Sequence, residues 1–229
     1  MRPAKSRNSA EKSGAGRLVV GISGASGAIY GIRMLEVLRA AGIETHLVLS
    51  KSAEMTIAYE TDLKAADVRK LADIVYPAAD VGAAIASGSF QTLGMVVAPC
   101  SVRSMSEIAT GVTSTLLTRA ADVTLKERRR LVLMLRETPL HTGHLRSMLA
   151  LSEMGAVIAP PVPAFYARPA SVADLVDHSV GRVLDLFGIE SDLVKRWGEA
   201  APGARAPHRL KGRKKIAGRK KIRGRNPTR

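Results

Sequence analysis

The sequence predicts an α/β protein built as a three-layer sandwich, with a doubly wound parallel β-sheet between two layers of helices. Apolar runs rich in β-branched residues alternate along the chain with longer segments of helical periodicity. The apolar runs are 18–22, 45–49, 94–98, 131–135 and 156–159. Runs that are apolar throughout predict strands buried on both faces, and their alternation with helices predicts parallel strands. Because crossovers between parallel strands are right-handed, helices should cover both faces of the sheet.

The segments between the runs carry the helical pattern. In the first of them, Ile29, Ile32, Leu35 and Leu38 lie on one stripe. The predicted helices are about 27–41, 51–60, 102–126, 142–154 and 171–187. The chain has 229 residues, of which 46% are hydrophobic and 3% aromatic, so we predict one domain with an aliphatic core.

The net charge of +15 belongs to the ends of the chain. Residues 203–229 hold twelve lysines and arginines and no acid, whereas residues 17–202 have no net charge. We therefore predict a domain at 17–200, a flexible extension at 1–16 and a disordered basic tail at 201–229. A tail of this kind binds phosphate backbones at low salt, so nonspecific nucleic-acid binding is a second hypothesis from another functional class. The body shows no nucleic-acid recognition motif, which makes such a partner accessory.

The remaining composition excludes several classes of protein. The one cysteine excludes an internal disulfide, and no apolar run approaches the roughly 18 residues of a membrane span. The first sixteen residues lack the apolar core of a secretory signal. The five histidines show no metal-ligand spacing, and we expect them in capping or surface positions. We predict a cytoplasmic protein that uses no metal.

The stretch GISGASGAIYG (21–31) predicts a strand-to-helix turn that holds a ligand. A dinucleotide fingerprint needs glycine where Ser23 stands, and an acid where the second strand ends in Ser50 and Lys51. A mononucleotide is therefore favoured over NAD. The spacings of a P-loop and of a nucleophile elbow are also absent. What remains is an anion site at a helix N-terminus or, as the alternative, a plain cap made by Ser26.

In a sheet of this type, ligands bind beyond the carboxyl ends of the strands. Pro99 is predicted to end the third run, and Ser101 or Ser104 to cap the following helix. Cys100 has no histidine at a partner spacing, so we predict a lone buried thiol rather than a nucleophile. Arg136 and Glu137 follow the fourth run, either as catalytic groups or as an ion pair that caps the strand.

Two cations lie two helical turns apart further along the chain. Arg119 and Lys126 therefore share one helix face. Their apolar neighbours predict partial burial, which is unfavourable for two cations unless an anion meets them.

Several motifs in one order resemble the UbiX-type flavin prenyltransferases over about 17–199. They are GISGASGAIYGIRMLEVL, LSKSAEMTIAYET, ASGSF, APCS, LLTRAADVTLKERRRLVLMLRETPLH, MGAVIAPPVPAFYARPASVADLVDHSVGRVLDLFGI and RWGE. The resemblance implies a flavodoxin-like or Rossmann-like fold and a metal-independent transfer of the dimethylallyl group of dimethylallyl monophosphate to N5 and C6 of reduced FMN. It also implies a UbiD-type (de)carboxylase that receives the prenylated FMN, and a homododecamer with sites at subunit junctions.

The resemblance also implies site residues. Those expected on FMN are Gly24, Ala25, Ser26 (near N5), Ser50, Ser101, Val102, Arg103, Ser104 and Arg136. Those expected on the prenyl donor are Ser87, Ser89, Lys126, Glu137, Tyr166 and Arg182, with Glu60 and Arg119 as further polar positions and Trp197 shielding the prenyl pocket. Of these, Ser26, Lys126, Glu137, Tyr166 and Arg182 are the expected catalytic residues. Cations offset the charge on a departing phosphate, and Glu137 is placed to shuttle a proton.

Some positions depart from the family pattern. Val102 and Arg103 are bulkier than the usual residues, Thr115 replaces a frequent asparagine, and Leu135 replaces a frequent proline. The rival enzyme class is the flavin-dependent cysteine decarboxylases, which carry an active-site histidine after the first helix and a Pro-x-Met-Asn stretch. Residues 51–60 contain no histidine and APPVPAFY replaces that stretch.

Overall fold

The computed structural model describes residues 16–198. Its strands are β1 (Arg17–Ile22), β2 (Glu44–Leu49), β3 (Ile74–Tyr76), β4 (Gly94–Cys100), β5 (Arg130–Leu135) and β6 (Val157–Ile158). Its helices are α1 (Ala28–Ala40), α2 (Lys51–Glu60), α3 (Ala65–Arg69), α4 (Val102–Ala109), α5 (Leu116–Lys126), α6 (Thr142–Glu153) and α7 (Val172–Asp185), with short 3₁₀ turns at Ala84–Ala86 and Phe165–Ala167. The predicted flexible extension and basic tail lie outside these residues, apart from the boundary residue Gly16.

The six strands form one parallel sheet in the order β3-β2-β1-β4-β5-β6. The order reverses between β1 and β4, and this switch point is where such sheets bind ligands. This is the Rossmann strand order. Without the three-residue edge strand β3 it becomes the flavodoxin order. The predicted doubly wound fold is confirmed.

Two hydrophobic clusters pack against the sheet, one on each face. Leu18, Val20 and Ile22 of β1 belong to the cluster that contains α1 and α7 residues. Val19 belongs to the cluster that contains α4, α5 and α6 residues. Alternation along a strand sends successive side chains to opposite faces, so one apolar run supplies both cores.

A close approach of α1 to the sheet fixes the height of that helix over β4. A Cβ on Gly31 would lie 2.3 Å from the carbonyl oxygen of Ala98, so any side chain there would push the helix away. The start of α1 is thereby held at the carboxyl edge of the sheet, beside the switch point.

The structure corrects the predicted elements at four places. The strand β3 and the helix α3 were not predicted, because both are short and β3 is exposed at the sheet edge. The predicted helix 102–126 is two helices, since Thr115 and Thr118 form a capping box that begins α5. Pro99 does not end β4, which continues to Cys100 with a register shift after Val97 that accommodates the proline.

In the described part of the chain, no helix is long and apolar enough to cross a membrane.

Candidate active site

A buried serine joins the two strand ends at the switch point. Ser23 follows β1 and is 1% exposed. Its Oγ donates to the carbonyl oxygen of Pro99 at 2.9 Å and accepts from the amide of Ser101 at 2.7 Å. Sequence reasoning weighed Ser23 as a substitute for glycine and rejected it as a nucleophile, although a polar residue directly after a buried run could have signalled this contact.

Ser23→Ala should lower the free energy of unfolding by about 2 kcal/mol, because it leaves the Ser101 amide and the Pro99 carbonyl without their side-chain partner. For a chain of this size the melting temperature should fall by about 4–8 °C. The measurement is thermal unfolding beside Ser152→Ala, which alters an exposed serine on α6. A melting temperature equal to that of the control would contradict the role of Ser23.

The glycine turn begins α1 with Gly27, not with the predicted cap Ser26. Gly27 is in the left-handed region (φ 99°), and no side chain of the turn caps the helix. Instead Glu60, at the end of α2, accepts the amides of Gly27 at 2.8 Å and Ala28 at 3.0 Å. The predicted anion site at this N-terminus is therefore occupied by the protein's own carboxylate, which corrects that interpretation.

Glu60 brings a fixed negative charge to the glycine turn. Burial acts to raise the pKa of its carboxyl, but hydrogen bonds from Ser26, Gly27 and Ala28 and the charge of Arg136 outweigh burial and hold that pKa below its usual range. Glu60 is thus ionised at neutral pH. The turn is also tight, because a Cβ on Gly24 would lie 2.3 Å from the Cβ of Ser52. This close packing against α2 leaves no room for a side chain at Gly24, whether or not the turn binds a ligand.

Two further helices begin at the same edge of the sheet. Ser50 caps α2 by accepting the amide of Ala53 at 3.1 Å, and Ser101 caps α4 by accepting the amide of Ser104 at 3.2 Å. Of the predicted caps for α4, Ser101 is the one observed. Glu60 fills the start of α1, whereas the starts of α2 and α4 at the same edge suit a phosphate.

The structure gives a local role to three residues that depart from the family pattern. The guanidinium of Arg103 pairs with Glu107 one turn further along α4 at 2.9 Å, and it is largely exposed. Thr115 caps α5, a role that asparagine also fills. Leu135 is the buried last residue of β5.

Arg136 and Glu137 follow β5 at this edge, and both are exposed. The amide of Arg136 donates to the carbonyl oxygen of Cys100 at 3.0 Å, which ties the end of β5 to the end of β4. Glu137 accepts the amide of Thr138 at 3.0 Å. Within residues 16–198 no ion pair joins Arg136 to Glu137, so the strand-capping alternative is wrong. The Glu137 carboxylate faces solvent, as a group that exchanges protons requires.

A second cluster forms where the loop after β6 meets α7. The hydroxyl of Tyr166 lies 3.0 Å from Nε2 of His178, and the Tyr166 ring meets Trp197 edge to face at 5.5 Å. Arg182 lies one turn beyond His178 and pairs with Asp185 at 2.6 Å. The structure therefore groups three of the expected donor residues: Tyr166, Arg182 and Trp197.

Two histidines differ from the expected capping or surface positions. His178 is 8% exposed and His46 is 1% exposed. Burial lowers the pKa of His178, the charge of Arg182 lowers it further and Asp185 opposes both, so the imidazole is neutral at neutral pH. His46 lies between Tyr76 and Glu44 on the sheet. His141 does cap a helix, since its Nδ1 accepts the amide of Gly143.

A third group lies at the opposite, amino edge of the sheet. Lys126 ends α5 and pairs with the neighbouring Glu127. Ser87 and Ser89 share a hydrogen bond of 2.9 Å, and a Cβ on the intervening Gly88 would lie 2.9 Å from Nζ of Lys126. The loop with both serines therefore passes over the end of α5.

The predicted partial burial of the two cations of α5 is confirmed for one of them and wrong for the other. Arg119 is part-buried and meets an anion, Asp122, at 2.7 Å. Lys126 is exposed, so its predicted partial burial is wrong.

The two ends of β5 separate residues that were expected in one site. Lys126 lies four residues before β5, and Glu137 lies two residues beyond it. Six residues of strand span about 20 Å, which exceeds the combined reach of the two side chains. One copy of the chain therefore brings the FMN residues and Glu137 together, and leaves Lys126, Ser87 and Ser89 at the far edge.

Cys100 is a structural thiol. It is 0% exposed at the end of β4, and burial raises its pKa to about 12. The predicted lone buried thiol is confirmed. A thiol that holds its proton this firmly is a poor nucleophile.

Comparisons with known proteins identify the family of this chain. The Flavoprotein family model matches residues 6–184. Flavin prenyltransferase UbiX of Thauera aromatica is 59% identical over 181 residues, which cover 79% of this chain and 93% of that protein. The chain belongs to the UbiX family of flavin prenyltransferases. The predicted family and the predicted flavoprotein class are confirmed, and the cysteine decarboxylase alternative is set aside.

Two solved UbiX structures match the chain at high identity. One is AnUbiX (PadA1) in complex with FMN and dimethylallyl pyrophosphate, with TM-score 0.79, 52% identity and coverage of 81% of this chain and 98% of that one. The other is a dodecameric FMN-dependent UbiX-like decarboxylase from Escherichia coli O157:H7, with TM-score 0.78, 51% identity and coverage of 80% and 100%. The two TM-scores show that these UbiX structures share the fold of this chain.

Proposed function

We propose that this protein transfers the dimethylallyl group of dimethylallyl monophosphate to reduced FMN, which is a substrate of the reaction. The C1–O bond of the donor breaks and phosphate leaves as C1 bonds to N5, which gives up its proton. The C2=C3 double bond then takes up a proton at C2, and C3 bonds to C6 of the flavin, which loses its proton. The observation that carries this proposal is the match, at 52% identity, to a structure that holds FMN and dimethylallyl pyrophosphate.

The FMN residues in this proposal converge on the switch point. Gly24, Ala25 and Ser26 form the turn beneath the flavin, with Ser26 closest to N5. The helix starts at Ser50 and at Ser101–Ser104 suit the FMN phosphate, because each presents free backbone amides and a hydroxyl. Arg136 adds a cation that counters the Glu60 carboxylate at the same edge.

The donor residues supply charge and proton transfer. Lys126 and Arg182 neutralise the leaving phosphate, Tyr166 donates a hydrogen bond to it, and Glu137 exchanges the proton. Ser87, Ser89 and Arg119 complete the polar wall, while Trp197 keeps water from an allylic cation. In this proposal the transfer uses no metal ion.

A homododecamer with sites at subunit junctions completes this site, because Lys126 and Glu137 lie at opposite ends of β5 in one copy. A relative of 51% identity is dodecameric. We further propose that the enzyme acts in the cytoplasm and passes prenylated FMN to a UbiD-type (de)carboxylase.

The direct test is anaerobic incubation of the full chain with reduced FMN and dimethylallyl monophosphate, followed by mass and absorption spectra of the extracted flavin. A five-carbon mass gain supports the proposal. A parallel arm with dimethylallyl pyrophosphate determines the preferred donor. Return of unmodified FMN with both donors, under conditions where a known UbiX enzyme succeeds, would overturn the assignment.

Deletion of 203–229 should leave FMN binding and prenylation unchanged, because this segment of twelve cations has few apolar residues with which to dock on the site. The same deletion should abolish salt-sensitive retention on nucleic acid, which depends on those charges. Turnover and salt elution of the full and shortened chains are the two measurements. A large loss of prenylation in the shortened chain would place the tail in the site.

A further inference from the structure

Tyr166 carries its hydroxyl at an exposed position. Its side chain is held by ring contacts with Trp197 and His178, and 47% of the residue is exposed. Ring contacts fix the oxygen but not the direction of the O–H bond. A hydroxyl that donates a hydrogen bond to a bound phosphate has to point its proton toward that phosphate and away from the protein, since phosphate oxygens only accept.

His178 is the polar group behind this hydroxyl. It is 8% exposed on α7, and its Nε2 lies 3.0 Å from the Tyr166 oxygen, with the two rings edge to face at 5.6 Å. Burial and the nearby Arg182 lower the pKa of His178, so the ring carries one N–H at neutral pH. If that proton is on Nδ1, Tyr166 has to donate inward to Nε2. If it is on Nε2, Tyr166 accepts from the histidine and its own proton is free to point outward.

We propose that His178 is a positioning residue for the prenyl donor: its Nε2–H donates to the Tyr166 hydroxyl, which in turn donates to the phosphate of the donor. The inference rests on the proposed function, because that function supplies the phosphate. Hydrogen bonds in such a chain polarise one another, so the histidine strengthens the Tyr166 donor as well as directing it.

The test is a double-mutant cycle with the wild type, His178→Leu, Tyr166→Phe and the double variant, scored by kcat/KM for dimethylallyl monophosphate. His178→Leu should lower kcat/KM about tenfold with FMN affinity unchanged. The same change in the Tyr166→Phe background should have no effect, because the group it acts through is gone. His178→Gln, which keeps a donor, should restore most of the activity. Ser179→Ala, the next residue on α7, is the control.

Other outcomes overturn the proposal. An equal loss in both backgrounds would mean that His178 acts on packing alone, and no loss in the wild-type background would mean that it does not act at all. Binding of dimethylallyl monophosphate, measured by calorimetry across the same four proteins, repeats the cycle without chemistry. If the wild type binds the donor but forms no adduct, the proposed function fails while the binding cycle still decides the role of His178.

Discussion

Glu137→Gln should slow adduct formation about a hundredfold while FMN binds as in the wild type. The substitution keeps the shape of the side chain and removes its ability to exchange a proton. Glu137 suits this role because it follows β5 at the ligand edge, is exposed, and has no cation paired with it within residues 16–198.

The measurement for Glu137→Gln is the rate of prenylated flavin formation under single-turnover conditions, with FMN affinity from titration. Glu153→Gln, which alters an exposed carboxylate at the end of α6, is the matched control. A rate within a few fold of the wild type would exclude Glu137 as the general acid or base. Loss of FMN binding in parallel with the rate would instead make Glu137 a flavin ligand.

The long strands of the sheet could be predicted from the sequence because each contains a run of buried apolar residues. The run 18–22 became β1, and its residues serve both cores. The edge strand β3 escaped prediction because its three residues, two of them exposed and one half-buried, make too short a run. The break between α4 and α5 depends on the capping box at Thr115, a signal that the apolar periodicity of 102–126 concealed.

The site could be predicted as far as the strand ends, since parallel strands deliver their carboxyl ends to one edge. The contacts across that edge could not, because they join residues that are far apart along the chain. Glu60 caps a helix that begins 32 residues earlier, and Ser23 bonds to a residue 78 positions away. Tyr166 and His178 meet because a loop folds back on α7. Such pairs follow from tertiary placement, and a sequence pattern does not encode them.

Lys126 and Glu137 lie beyond opposite ends of β5, and this separation bears on how subunits form the site. The resemblance assigned Lys126 and Glu137 to the same phosphate, yet one chain holds them at opposite ends of a six-residue strand. Both assignments hold together if the lysine of one copy completes the site of another. An interface that supplies a catalytic residue makes assembly a condition of activity, not only of stability.

Complementation between two impaired variants tests this arrangement. Lys126→Ala should weaken use of the donor about tenfold or more, and Glu137→Gln should slow the chemistry, when each is assembled alone. In a random mixed assembly, a site that takes Lys126 from one chain and Glu137 from another has both native residues in about a quarter of cases. Co-expressed variants with two different tags, purified in tandem, should therefore regain about a quarter of wild-type turnover. Mixed assemblies of a single variant with both tags are the control. If mixing restores no activity although both tags are present in one assembly, Lys126 and Glu137 of the same chain serve the same site.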